Sequence, residues 1–256
     1  MGYDAFVPCN CWRDGRAASP PCPVVWDEAD GMYVPEPALD TDEAFWQVAA
    51  WQRTACLHRN MKVADEHLGN LSALSELRAA IATIGRERLP TLARILPTFN
   101  GGHVPVRESA DVLRDLDHFE AQVSGLPTLV LSWGNPEQER YSIFPGEELV
   151  FAFSPGGSLG LDDQGFFVRQ NEQIVFRGTR VRQQMQPGGR LARFENLDTG
   201  GAIENAPSFS GGELSAPSLL LVAPSRVQPS EYARIVGALR RLFTASSEVS
   251  SPVYWT

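Results

Sequence analysis

The sequence predicts an α+β protein: a mainly helical first half opened by a short strand, then antiparallel β-sheet covered by a long amphipathic helix. Three observations carry this reading. Leu74, Leu77, Ile81 and Ile84 recur at helical spacing, as do Val112, Leu116, Phe119 and Val123. Beyond Leu126 the pattern changes to period two, interrupted by Pro-Gly and Pro-Gly-Gly turns. Later, Tyr232, Ile235, Val236, Leu239, Leu242 and Phe243 share one face of a helix over about 229–247, which this reading places on the sheet.

Taken in order, Tyr3 to Cys11 reads as the opening strand. The proline-rich stretches Ala17 to Pro23 and Val34 to Pro37 read as irregular segments flanking one or two short strands at VVW and MYV. Asp40 followed by Glu43 has the spacing of a capping box and opens a helix to about Cys56, with Phe45, Trp46, Ala49 and Ala50 facing a core. Asn60 to Leu68 reads as a second helical stretch ended by Gly69. A third starts near Ser72 and stops at Gly85, and a short one over 91–96 follows Pro90. Phe99 to Pro105 reads as a loop because Asn-Gly-Gly and proline break both periodicities. The runs TLVLSW, RYSIF, ELVFAF, GFFVRQ, QIVFRGT and RLARF, with Ser218 to Ala223, read as strands, and Pro155 to Gly165 as a turn. With no internal repeat and no long linker, residues 1–256 are expected to form a single α+β domain. Its weak subdivision would be 1–125, mainly helical, and 126–256, antiparallel sheet plus the C-terminal helix.

A chain of 256 residues with 43% hydrophobic content buries a core large enough to fold without metal or disulfides. No apolar run approaches the roughly 18 residues of a membrane span. The opening MGYDAFVPCN carries an acid and no base before a short apolar patch, unlike a signal peptide, so a cytoplasmic location is expected. A net charge of -9 disfavours a general nucleic-acid surface and suits a basic protein partner, although moderate acidity also serves solubility alone.

The chemistry-bearing residues are two short pairs. If 3–11 is a strand, Cys9 and Cys11 project from the same face. Cys56 and His58 fall where the first long helix should end, and they can converge only if the helix has unwound there. Together they make a Cys3His set suited to tetrahedral Zn2+, although the one-residue spacing within each pair is not that of a zinc finger. The alternative is that these cysteines pack as small hydrophobes. Cys22 and His67 are substitute ligands. A disulfide is not expected without an export signal.

Other candidates read as structure. Asp111, Asp115 and His118 share a helix stripe that reads as a solvated face, and His103 as a loop residue. Arg180 and Arg182 lie on one face of a strand with Val181 on the other. No phosphate-binding loop, nucleophile elbow or His-Glu-x-x-His motif occurs, so no catalytic and no cofactor-binding residues are assigned.

Met1-Gly2-x-Asp4 with Cys9-x-Cys11, Cys56-x-His58-x-Asn60-Met61, the Asn-Gly-Gly loop, Phe176-Arg177 with Gln183, Asp198-Thr199-Gly200 and Pro252-Val253-x-Trp255 form a pattern over nearly the whole chain. It resembles a group of uncharacterised bacterial proteins of about this length. The resemblance implies that the two cysteine pairs belong to one pattern and the chain ends to one folding unit. It transfers no activity.

Two functions fit. One is a non-catalytic cytosolic protein-binding module, for instance an immunity protein that masks a toxin or nuclease, with a structural zinc. The other is a metal-dependent hydrolase in which Cys9, Cys11 and His58 hold zinc, a bound water is the nucleophile, and Asp4 or Glu66 is the base. Thiolate-rich sets mark structural sites more often than hydrolytic ones, which favours the first.

Overall fold

The structure, a computed structural model, describes residues 2–39, 41–98, 101–133, 140–154, 157–210 and 216–256. It is of the α+β class and divides into two compact units: Met1–Ser124 with Gln228–Thr256, and Gly125–Val227.

In the first unit, β1 (Gly2–Pro8) leads through a hairpin of β2 (Val24–Asp27) and β3 (Met32–Pro35) to α1 (Asp42–Thr54). There follow β4 (Lys62–Asn70), α2 (Leu71–Ile84), α3 (Pro90–Ile95), β5 (His103–Val104) and α4 (Ser109–Val123). Ten strands of the second unit intervene before the chain returns. They are β6 (Pro127–Trp133), β7 (Arg140–Ile143), β8 (Leu149–Ser154), β9 (Gly157–Asp162), β10 (Gly165–Gln170), β11 (Gln173–Gly178), β12 (Arg180–Met185), β13 (Leu191–Asn196), β14 (Ala202–Pro207) and β15 (Leu219–Arg226). The chain closes with α5 (Ala233–Val249) and β16 (Val253–Trp255).

The first unit's sheet is antiparallel in the order β4-β1-β16-β5. Ala5 faces Trp255 and Phe6 faces Tyr254 in the register, so residues from both ends of the chain share one ladder. Helix α5 lies on β4 and β1 and packs against α4. This corrects the expectation that it covers the sheet of the second half. Its apolar face is as expected, with Tyr232, Ile235, Val236, Leu239, Leu242 and Phe243 all buried, but the surface it covers belongs to the first unit.

Several local readings hold. Leu74, Leu77, Ile81 and Ile84 of α2 are buried, and Gly85 ends the helix with φ 113°, a value a β-carbon would oppose. The α4 stripe of Val112, Leu116, Phe119 and Val123 is buried too. Asp115 is not solvated as expected: it is 1% exposed and caps α3, its Oδ2 accepting from Thr91 N at 2.8 Å and Leu92 N at 3.0 Å. His118 is exposed and Asp111 pairs with Arg114 at 2.9 Å.

Three readings of the first half change. The residues expected as the second helix form β4, because Asn60 and Met61 both take left-handed φ (54° and 56°) and a full ladder with β1 outweighs the small helix propensity of KVADEHL. Helix α1 buries Val48 and Trp51, while Phe45, Trp46 and Ala50 are exposed; its N-cap is Thr41, whose Oγ1 accepts from Ala44 N at 3.2 Å. Asp40, expected as that cap, lies outside the described residues, as do Phe99 and Asn100 of the expected loop. His103, expected in that loop, sits in β5, where it pairs with Tyr254.

The second unit is a sandwich of two antiparallel sheets, β11-β10-β9-β8 and β14-β13-β12-β15-β6-β7. Leu159, Leu161, Phe166 and Val168 of one sheet meet Leu131, Val181, Phe194 and Leu220 of the other in one core. Strand β9 comes from the segment expected as a turn, and β14 was not expected. In β9 the alternation is hidden by Gly160, where a β-carbon would stand 2.3 Å from the Phe167 ring; the aromatic fills the space a side chain would take. Arg180 and Arg182 are exposed and Val181 buried, as the alternation indicates. Among the described residues no helix is long and apolar enough to cross a membrane.

Candidate metal centre

Strand β1 stops at Pro8, so Cys9 and Cys11 lie just beyond the strand expected to carry them. What positions them is a turn. Asp14 N donates to Asn10 O at 2.9 Å, Gly15 N to Trp12 O at 3.0 Å and Arg16 N to Cys11 O at 2.7 Å. Gly15, with φ 67°, lets the chain double back. Helix α1 has ended at Thr54, as convergence of the second pair requires, and Cys56 and His58 follow in extended or bent backbone.

The ligand atoms of Cys9, Cys11, Cys56 and His58 lie within 4.8 Å of one another. Cys9 Sγ is 3.7 Å from Cys56 Sγ, and His58 Nδ1 is 3.3 Å from Cys11 Sγ and 3.8 Å from Cys56 Sγ. Zinc bonds of about 2.3 Å to sulfur and about 2.0 Å to nitrogen give a tetrahedron with edges of about 3.7 Å (S to S) and about 3.5 Å (S to N). The three separations given above fit those edges, and the other three lie within 4.8 Å. All four cysteines of the chain are free thiols.

Cys9 and Cys11 are buried, and Cys56 and His58 half-buried. Burial pushes the Cys9 thiol up to about 12 and raises Cys11, and the neighbouring Cys56 sulfur adds to both. Thiols packed this way must either keep their protons or share a cation, and a divalent ion with a preference for sulfur serves several at once.

The shell around these residues is apolar and aromatic. Tyr33, Val48, Trp51, Ala55 and Met61 form a buried cluster with Cys9 and Cys11, and Trp12 and Trp26 pack on it. Cys9 N donates to Met61 O at 2.7 Å, which joins the first pair to the residues after the second. Trp51 Nε1 donates to Ala18 O, and Ala18 N to Ala55 O, so the proline-rich segment is tied to the end of α1.

The substitute ligands are elsewhere. Cys22 packs on the edge of the aromatic cluster, outside the four-residue group, and His67 Nδ1 lies 2.6 Å from Asp4 Oδ1 on the exposed face of the sheet. Glu66 holds Arg241 in a two-pronged pair at 2.6 and 2.7 Å. Asp4 and Glu66, expected as bases for hydrolysis, are thus engaged by His67 and Arg241 respectively and are not members of the cluster.

Asn10 is the residue that sequence reasoning missed. Its Nδ2 donates to Val249 O at 2.6 Å, and its Oδ1 accepts from Ser251 Oγ at 3.1 Å and from Arg13. The signal was its place between two candidate ligands, where an amide can anchor the pair. No protein-family model matches the chain, and neither a curated protein nor a solved structure matches it.

Proposed function

We propose that this is a non-catalytic protein-binding module stabilised by one structural zinc, held by Cys9, Cys11, Cys56 and His58. The observation that supports the reading is the convergence of four potential ligand atoms within 4.8 Å, three of whose separations match the edges of a zinc tetrahedron. Four protein ligands fill the coordination sphere of zinc and leave no position for a reactive water, which is the arrangement of a structural site. The ion would hold the irregular segment after β1 to the end of α1, in a region whose regular structure is one short hairpin and a single 3-10 turn at Pro37–Leu39.

The net charge of -9 suits a basic partner, and an immunity-type role, masking a basic toxin or nuclease in the cytoplasm, is the form of binding this charge fits best. Elemental analysis of the untagged protein beside Cys9→Ser and Cys56→Ser tests the metal. About one zinc per chain, lost in both variants, is expected; folded protein without metal in all three forms overturns it. Turnover that requires the zinc, in assays of ester, amide and phosphoester substrates, would overturn the non-catalytic assignment.

A further inference from the structure

Beside the thiol cluster the first unit holds a cleft of about 260 Å³. Its walls are aromatic, formed by Phe6 of β1, Trp26 and Tyr33 of the hairpin and Phe45 of α1. The rings are fixed by one another: Trp26 and Tyr33 meet edge to face with centroids 4.9 Å apart, and Tyr33 meets Trp51 at 5.8 Å. The hairpin turn is pressed against the sheet at Gly31, where φ is 64° and a β-carbon would stand 2.5 Å from the Tyr254 ring. Phe6, Trp26 and Tyr33 are therefore held in place, which lowers the cost of binding a rigid molecule, and Phe45, exposed and in edge contact with Trp46, closes the remaining side.

The polar lining has one sign of charge. Arg53 and Lys62 line the cleft, and no carboxylate does among the described residues, in a protein that is acidic overall. Lys62 Nζ stands 4.2 Å over the Phe6 ring and is shared with Asp65 at 3.2 Å. Gln52 is occupied at both ends by the Tyr33 backbone, accepting from its N–H and donating to its carbonyl. Arg53, exposed in the last turn of α1, is the other cation of the lining. Asn60, in the same lining, adds an amide.

From this geometry we propose that the cleft is a binding site for a small planar aromatic carboxylate, its ring or rings between Phe6, Trp26, Tyr33 and Phe45 and its carboxylate on Arg53. Flat rings match aromatic walls by stacked or edge contacts, and a guanidinium matches a carboxylate with two parallel hydrogen bonds. The volume admits one or two rings. Cys9 also lines the cleft, so its floor adjoins the proposed metal site, but the residues that define its specificity, Arg53 and the four rings, are not metal ligands.

The test is ligand-observed NMR titration of the full chain with benzoate, 2-naphthoate and indole-3-acetate, each beside its neutral amide, on wild type, Arg53→Ala and Met32→Trp. Zinc content and unfolding midpoint are measured on each form. We expect at least one acid to bind tenfold or more tightly than its amide. Arg53→Ala should erase that preference, and Met32→Trp, which places an indole in the lining, should abolish binding of both. Absence of millimolar binding by every acid, amides that bind as tightly as acids, or a preference that survives in Arg53→Ala would each overturn the proposal.

Discussion

Asn10 and Val249, 239 residues apart, are joined by a hydrogen bond of 2.6 Å from the Asn10 side chain to the backbone carbonyl at the end of α5. The bond is one link of a polar chain that runs from half-buried Asn10 to the buried Ser251, Ser246 and Ser109. Ser251 Oγ donates to Asn10 Oδ1, Ser246 Oγ donates to Ser251 O at 2.5 Å, and Ser109 Oγ lies 3.0 Å from Ser246 Oγ. The residue between two candidate ligands thus reaches α5 and α4. Asn10→Ala is expected to lower stability by about 2–3 kcal/mol, because it strands a carbonyl and a hydroxyl that have little water. Urea unfolding measures this, and a variant within about 0.5 kcal/mol of wild type would show that the chain of bonds contributes nothing.

The thiols set a pH dependence for metal-free protein. Burial raises the folded-state value of Cys9 to about 12, from an ordinary value near 9. The folded state then holds its proton more tightly than the unfolded state. The resulting stability is whole below about pH 9 and is lost as pH rises toward 12. Protein stripped by chelator should show a falling melting temperature across that window. Zinc-loaded protein should fall less, since the ion takes the place of the protons. Parallel melting curves with and without metal would contradict this account.

Asp115 offers a test of capping away from the metal. Its carboxylate accepts from two N–H groups at the start of α3 while 1% exposed. Asp115→Ala is expected to cost about 2–4 kcal/mol, and Asp115→Asn less because an oxygen acceptor is kept. Equal losses in the two variants, measured by chemical denaturation, would show that charge and not the accepting oxygen matters.

What was legible followed from the range of the interactions. The α2 and α4 stripes could be read because helix faces are set by residues three and four apart, and both bury the side chains that the spacing selects. The α1 face could not, since its apolar residues lie on both sides and the choice of Val48 and Trp51 over Phe45 and Trp46 is made by the hairpin and proline-rich segment packed on it. Strand β4 was hidden for a related reason: its partner is β1, some sixty residues earlier, and KVADEHLGN carries no alternation of its own. The four candidate ligands were legible from their chemistry alone, and the structure brings them into one cluster. Their anchor was not, because Asn10 is an ordinary residue until its distant partners are known.

In the second unit Gln183 is 3% exposed, and its amide pins a loop to the sandwich. Nε2 donates to Phe209 O and Pro217 O, both at 2.8 Å, and Oε1 accepts from Phe209 N at 2.7 Å. Gln183→Leu keeps the size and loses all three bonds; a loss of about 3 kcal/mol or more is expected. Expressed alone, residues 125–227 should show a cooperative thermal transition that this substitution lowers. An unaltered transition in the variant would remove the amide from any part in holding the loop.

The ladder between β1 and β16 also sets an order of events during synthesis. The residues of the second unit, 125–227, are all made before α5 and β16, so the inserted sandwich can assemble while the enclosing unit still lacks an interior strand. The four candidate ligands leave the ribosome earlier still, within the first 58 residues, whereas Val249 and Ser251 follow about 10–40 s later at ordinary translation rates. A nascent chain can therefore collect its ion well before the clasp around Asn10 exists, and through that interval one edge of β1 waits for its partner.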